Sequence, residues 1–107
     1  GTGIGSKSIS GKVCIANSHA ELLSKFDDGN ILVCVNSDRD MVKFIERAGA
    51  LITEHGGLTS HGAIVGLNLD KPTIVGVQGA TSILNDGDIV TVDSATGQIY
   101  KGEARIL

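Results

Sequence analysis

His61 follows a glycine pair and two hydroxyl residues in the run Glu54-His55-Gly56-Gly57-Leu58-Thr59-Ser60-His61, where an extended apolar stretch gives way to a helical one. A helix beginning there aims unpaired backbone N–H groups, and the positive end of its dipole, at whatever occupies its opening turn. Such a place favours an anion such as phosphate. An imidazole held in it can act as a nucleophile, because much of its population is neutral near physiological pH. Gly56 and Gly57 leave their amides unobstructed and can take φ values closed to other residues. Thr59 and Ser60 can cap the helix, and their hydroxyls can contact a phosphate. Glu54 is the nearest carboxylate, able to orient a ring nitrogen or a metal ion. The same residues also make an ordinary strand-to-helix connection, so local chemistry leaves both readings open.

The other reactive side chains read more simply. His55 is a solvent-exposed loop residue, and His19, beside Asn17 and Ser18, a polar turn residue. Asp86, Asp88 and Asp93 have the spacing of turn chemistry rather than of a metal site. Cys14 and Cys34 each sit inside an apolar run and are expected as buried free thiols. A disulfide would imply an oxidising compartment. Zinc would need these thiols with His19, His55 or His61, and no C-x-x-C or H-x-x-x-H spacing supports it.

Elements able to place the histidine loop follow from the hydrophobic pattern. Residues 12–16 read as a short strand, 20–26 as a short helix, and the unbroken apolar run 31–35 as a strand buried on both faces. Ser37 or Asp38 can cap a helix carrying Met41, Val42, Ile45 and Ala48 inward, closed by Gly49. Residues 50–53 are another buried strand leading into the loop, and 61–69 a helix with Gly62 and Gly66 inside it. Glycine within a helix costs roughly 1 kcal/mol relative to alanine. Two of them imply close packing on a sheet or close approach of a ligand. Pro72 stops the helix ahead of a strand at 73–75. A helical turn at 80–84, a strand at 88–92 and a hairpin into 98–100 complete the chain. The whole is mixed α and β in layers.

At 107 residues the chain has room for one domain with a modest core, built from Ile, Val, Leu and Ala because only 3% of residues are aromatic. A net charge of -3 gives no electrostatic case for nucleic acid or anionic membranes. No apolar run reaches spanning length and nothing resembles a signal peptide. The absence of an initiator methionine, with a Gly- and Ser-rich opening, reads as a piece of a longer polypeptide whose residues 1–11 are linker and whose domain is 12–107.

Residues 53–61, together with Pro72-Thr73-Ile74-Val75-Gly76, Asp86-Gly87-Asp88 and Val92-Asp93, resemble the mobile phosphohistidine domain of phosphoenolpyruvate-utilising enzymes. Within that family, Ile4-Gly5-Ser6-Lys7-Ser8, Ala63-Ile64-Val65-Gly66-Leu67 and Tyr100-Lys101-Gly102 are most similar to the extra C-terminal domain of Bacillus-type bacterial pyruvate kinases. The resemblance implies a swivelling β/β/α fold and puts His61 at the position of the phosphorylated histidine. It puts Thr59 where some dikinases carry a regulated hydroxyl. Gly62 stands where alanine commonly follows the histidine, which should loosen the first helical turn. Asp70 stands where a helix-ending glycine is usual.

The branch resemblance implies a cytoplasmic accessory domain that packs on a pyruvate kinase catalytic core or a neighbouring subunit of a homo-oligomer. The Mg and K ions would belong to that core and no cofactor to this domain. Pyruvate kinase transfers phosphoryl from phosphoenolpyruvate to ADP without a phosphohistidine, and no P-loop or kinase glycine loop is present. In isolation the domain should therefore lack that activity. Two alternatives stand beside it: a phosphoryl carrier of a synthase or dikinase using His61, and a free-standing domain that binds phosphate or phosphoenolpyruvate.

Overall fold

The computed structural model describes residues 2–5, 7–37, 39–56 and 60–102. Within them the strands are β1 (Thr2–Ile4), β2 (Ser8–Ile15), β3 (Ile31–Cys34), β4 (Ala50–Thr53), β5 (Thr73–Val75), β6 (Ile89–Asp93) and β7 (Gln98–Lys101). The helices are α1 (His19–Lys25), α2 (Val42–Arg47), α3 (His61–Asn68) and the single turn α4 (Ala80–Ile83). The sheet runs in the order β1-β5-β4-β3-β2-β6-β7. Strands β2 to β5 are parallel neighbours, while β1, β6 and β7 pair antiparallel at the two ends.

Three successive β-α-β crossovers step the same way across the sheet. Right-handed connection then places α1, α2 and α3 on one face. The side chains agree: Leu32, Cys34 and Leu51 pack with Leu22, Phe44 and Ile45, with Val65 and Leu69 at the margin. The opposite face carries Val13, Ile31, Val33, Ile52 and Ile74 against Ala80, Leu84, Val90 and Val92, from α4 and the β6–β7 hairpin. Every residue of β3, β4 and β5 is therefore buried. This is why those strands read as unbroken apolar runs rather than alternating ones. The layers are hairpin, sheet and helices, the β/β/α arrangement expected.

Within the span 1–11, expected as linker, the described residues include paired strand. Residues 2–4 form β1, which pairs with β5, and 8–11 begin β2, which pairs with β6. Two of the glycines, Gly3 and Gly11, serve close approach. A Cβ on Gly3 would lie 1.8 Å from the Ser94 carbonyl oxygen, and one on Gly11 would press on Gly29 and Ile31. β2 pairs with β6 through Gly11 and Lys12 and, from Val13, takes β3. Glycine composition alone does not separate a linker from a crowded strand.

A second departure lies before α2. Its N-cap is Met41, with no side-chain cap bond, and a 3-10 turn (Arg39–Met41) precedes it. Ser37 is therefore not the N-cap of α2, and Asp38 lies outside the described residues. Phe44, absent from the expected apolar stripe, is buried and meets the rings of Phe26 and His19 edge-on. By contrast α1 is capped as its sequence suggests, Ser18 Oγ accepting from the Glu21 amide at 3.2 Å.

Asp86 does more than shape a turn. It accepts from the Ile15 amide at 2.7 Å and pairs with Lys25 at 2.8 Å, tying the turn before β6 to the end of β2 and to α1. The Lys25 ammonium, then the Ile15 amide, hold its carboxyl below the usual aspartate range. A depressed folded-state pKa contributes stability above the unfolded value, roughly 3.9, and loses it as pH falls through the folded value. Both side chains are substantially exposed, so solvent screening limits the pair to about 1 kcal/mol or less. Asp86→Asn, which keeps an acceptor for Ile15, should cost no more than that at pH 7. In urea unfolding its difference from the parent chain should shrink towards zero as the pH falls below 4.

Candidate functional site

The three parallel strands β3, β4 and β5 end at one edge of the sheet, where ligands of open α/β sheets bind. The chain leaving β4 crosses that edge and enters α3 at His61. Ser60 is the N-cap, its Oγ accepting from the Ala63 amide at 3.3 Å. The His61 and Gly62 amides occupy the first turn, which no carbonyl of the helix itself reaches. His61 is exposed, and its Nδ1 lies 2.8 Å from Ser37 Oγ. That serine comes from the segment after β3. The bond joins residues 24 positions apart in sequence. Nothing in the sequence linked them: Ser37 follows the end of β3, and His61 opens the helix that follows β4.

The helical glycines owe their place to packing. A Cβ on Gly66 would lie 2.0 Å from Thr73 Oγ1, and one on Gly62 would lie 3.1 Å from Ser37 Oγ. The helix therefore sits close on β4 and β5, with His61 at its mouth. It ends in a Schellman arrangement, the Lys71 amide reaching Gly66 O and the Asp70 amide reaching Leu67 O. Asp70 takes the left-handed conformation (φ 54°) usually given to glycine. Its carboxylate meets Lys7 at 2.6 Å.

Glu54 is placed elsewhere than towards the ring. Its two oxygens accept from the Gly79 amide at 3.3 Å, from the Thr81 amide at 3.0 Å and from the Thr81 hydroxyl. These bonds, the Thr81 hydroxyl foremost, hold its carboxyl below the usual glutamate range. Its visible work is to fasten α4 to the end of β4. The contribution is present above the ordinary glutamate pKa, about 4.3, and is lost as pH falls through the lower folded value. Hydrogen-exchange protection of the Thr81 amide should accordingly decline at acid pH, and Glu54→Gln should abolish that pH dependence.

The remaining expected site residues fall as follows. Gly56 is exposed at φ 122°, and a Cβ there would collide with Ser60 Oγ at 2.7 Å, so a glycine lets the loop lie against the helix cap. Gly57 and Thr59 lie outside the described residues. His55 is exposed, with its backbone amide on Val35 O. His19 is exposed and opens α1 rather than lying in a turn. Cys14 and Cys34 are buried and not joined in a disulfide, and burial pushes the Cys14 thiol up. Among the described residues no group of three or more His, Cys, Asp or Glu could hold a metal ion. Nor, among them, is any helix long and apolar enough to cross a membrane. A polar cleft of about 460 Å³ opens beside the loop, lined by Glu54, His55, Gly56, Gly76, Gln78 and Gly79.

Comparison with known families matches residues 26–97 to the PEP-utilising enzyme, mobile domain. The chain belongs to that family. Over all 107 residues this mobile domain is 55% identical to a pyruvate kinase of Bacillus licheniformis, spanning 18% of that relative's length. It is also 45% identical over 93 residues to a probable phosphoenolpyruvate synthase of Archaeoglobus fulgidus, covering 87% of the chain and 12% of that protein. The fold of the mobile domain matches an NMR structure of Enzyme I with a TM-score of 0.64 at 26% identity, over 77% of this chain and 34% of that one. The layered α and β reading of the sequence and the β/β/α fold implied by the family resemblance therefore meet in one structure.

Proposed function

We propose that this mobile domain is the accessory C-terminal domain of a pyruvate kinase, stabilising the parent enzyme and presenting the His61 loop to a phosphorylated ligand. The observation that carries the reading is the 55% identity to a Bacillus pyruvate kinase along the whole chain, within a relative of which the chain makes up only 18%. The parent would transfer phosphoryl from phosphoenolpyruvate to ADP in the cytoplasm. Its Mg and K ions would be held by the catalytic core, with this domain supplying no ligand to them. Ile64 and Leu67 lie 50% and 66% exposed on α3, one and two turns beyond His61, and suit contact with that core or a neighbouring subunit.

Removing residues 1–107 from the parent should lower its heat resistance or assembly, or alter its effector response, while leaving turnover near its original value. Unchanged stability, assembly and response would end this reading. A finer check uses Ile64→Ala and Leu67→Ala. In the isolated domain each should change stability by no more than about 0.5 kcal/mol, as exposed positions do. In the parent enzyme both should lower the thermal midpoint.

One observation favours a second reading, a phosphohistidine carrier: His61 is exposed at a capped helix start with one ring nitrogen already held by Ser37. The other nitrogen would attack phosphorus. An N–P bond forms as the P–O bond to the donor breaks, and the electron pair leaves with the donor oxygen. Incubation of the parent with labelled phosphoenolpyruvate separates the readings. A carrier gains acid-labile, base-stable label that His61→Ala loses, whereas an accessory domain gains none.

A further inference from the structure

We propose that the apolar groove between α4 and β7 is a strand-docking site, filled by the chain's own residues 104–107 returning along the free edge of β7. The inference is independent of any chemistry at His61.

Among the described residues β7 ends the sheet, with β6 on one side and no strand on the other. Such an edge is a template for a further strand. Antiparallel pairing alternates the side to which successive backbone groups point. The Gly102 amide donates to Ile89 O at 2.7 Å, so Tyr100, in step with it, also faces β6, opposite Thr91. Ile99 and Lys101, out of step, turn amide and carbonyl towards the free edge. The same two residues line a groove of about 300 Å³ with Ala80, Ile83 and Leu84. Ala80 and Leu84 are buried, while Ile83 is 60% exposed. Edge and groove therefore offer one incoming strand both main-chain partners and an apolar seat.

Gly102 selects the occupant. It has φ 81°, and a Cβ there would meet nothing within 4 Å, so the glycine serves this conformation rather than a crowded contact. Both common two-residue hairpin turns, types I′ and II′, demand a positive φ at their first central position. With Gly102 and Glu103 as the central pair, Lys101 is the residue before the turn, and its outward amide and carbonyl are the groups that close a hairpin. The register follows from the sequence: Ala104 opposite Lys101, Arg105 opposite Tyr100, Ile106 opposite Ile99 and Leu107 opposite Gln98. Residues directly opposite share a face of the sheet. Ala104 and Ile106 thus join Lys101 and Ile99 over the groove. Arg105 falls beside Tyr100 on the other face, where a guanidinium can lie against the ring. A slip of one residue would turn Arg105 into the groove instead.

The test is amide hydrogen exchange in the 15N-labelled chain of 107 residues, beside a chain shortened to end at Gly102. The Ile99 and Lys101 amides should exchange about tenfold more slowly in the longer chain, the effect of one net hydrogen bond each. The Tyr100 amide, which faces β6, should change far less, and the amides of β3 and β4 report that the sheet is intact in every variant. Ile106→Asp should abolish the slowing at Ile99, whereas Leu107→Asp, at the position facing away from the groove, should keep most of it. Methyl contacts of Ile106 with Ile83 and Ile99 should be visible by NMR. Equal exchange at Ile99 and Lys101 in the two chains overturns the proposal, as do equal effects of the two aspartate variants. Protection that grows with protein concentration also overturns it, by assigning the groove to a second copy. So does protection seen only within the parent enzyme, which assigns the groove to the catalytic core.

Discussion

Gly66→Ala should destabilise this domain by about 3 kcal/mol, at the upper end of the usual cost of inserting one methyl into a packed core. The added Cβ would lie 2.0 Å from Thr73 Oγ1 and 2.8 Å from Thr73 Cβ. Neither atom is the far end of a flexible chain. Thr73 is fully buried in β5, and its hydroxyl is tied to Lys71 O at 3.0 Å. Relief therefore requires α3 to move off the sheet. That movement would shift the helix mouth and, with it, the His61 ring. For a domain of this size the thermal midpoint should fall by roughly 10–20 °C. Adding Thr73→Ala removes the hydroxyl and methyl but leaves the Cβ, so recovery should be partial. A thermal midpoint within a degree or two of the parent chain would mean that the helix and strand are not packed as described.

Ile52→Ala should cost about 2–5 kcal/mol. Ile52 is completely buried in β4, between the parallel strands β3 and β5, on the face that meets α4 and the β6–β7 hairpin. Truncation there opens a cavity at the middle of the sheet. Strands paired on both sides cannot readily close over it. Denaturant unfolding should show a lower midpoint with an unchanged slope, the mark of lost stability rather than a changed unfolded state. A loss below 1 kcal/mol would place this side chain outside the core. Because β4 delivers the chain into the histidine loop, the same variant asks how far that loop depends on the strand beneath it.

Much of this arrangement was legible in advance. The buried strands 31–34, 50–53 and 73–75 appear as apolar runs of strand length, and the structure places them side by side. The helix beginning at His61 was readable from its hydroxyl residue and its periodic apolar positions, because capping and periodicity are local. The glycines at 62 and 66 pointed to close packing, and the neighbours are now named. The opening residues misled, because Gly and Ser serve a linker and a crowded edge strand equally well. Phe44 was missed because its burial depends on Phe26 and His19, which come from α1 and its C-terminal end.

What the sequence determined by itself was therefore whatever depends on neighbours a few positions away: strand, helix, cap and turn, and the family to which the motif belongs. Tertiary structure alone decided the partners of the reactive groups. It turned Glu54 towards α4, set Ser37 against the His61 ring, and packed Gly3 on Ser94. These contacts join segments from 24 to about 90 positions apart. Their existence follows from strand order and register, and those are settled by which buried faces fit together rather than by any local propensity.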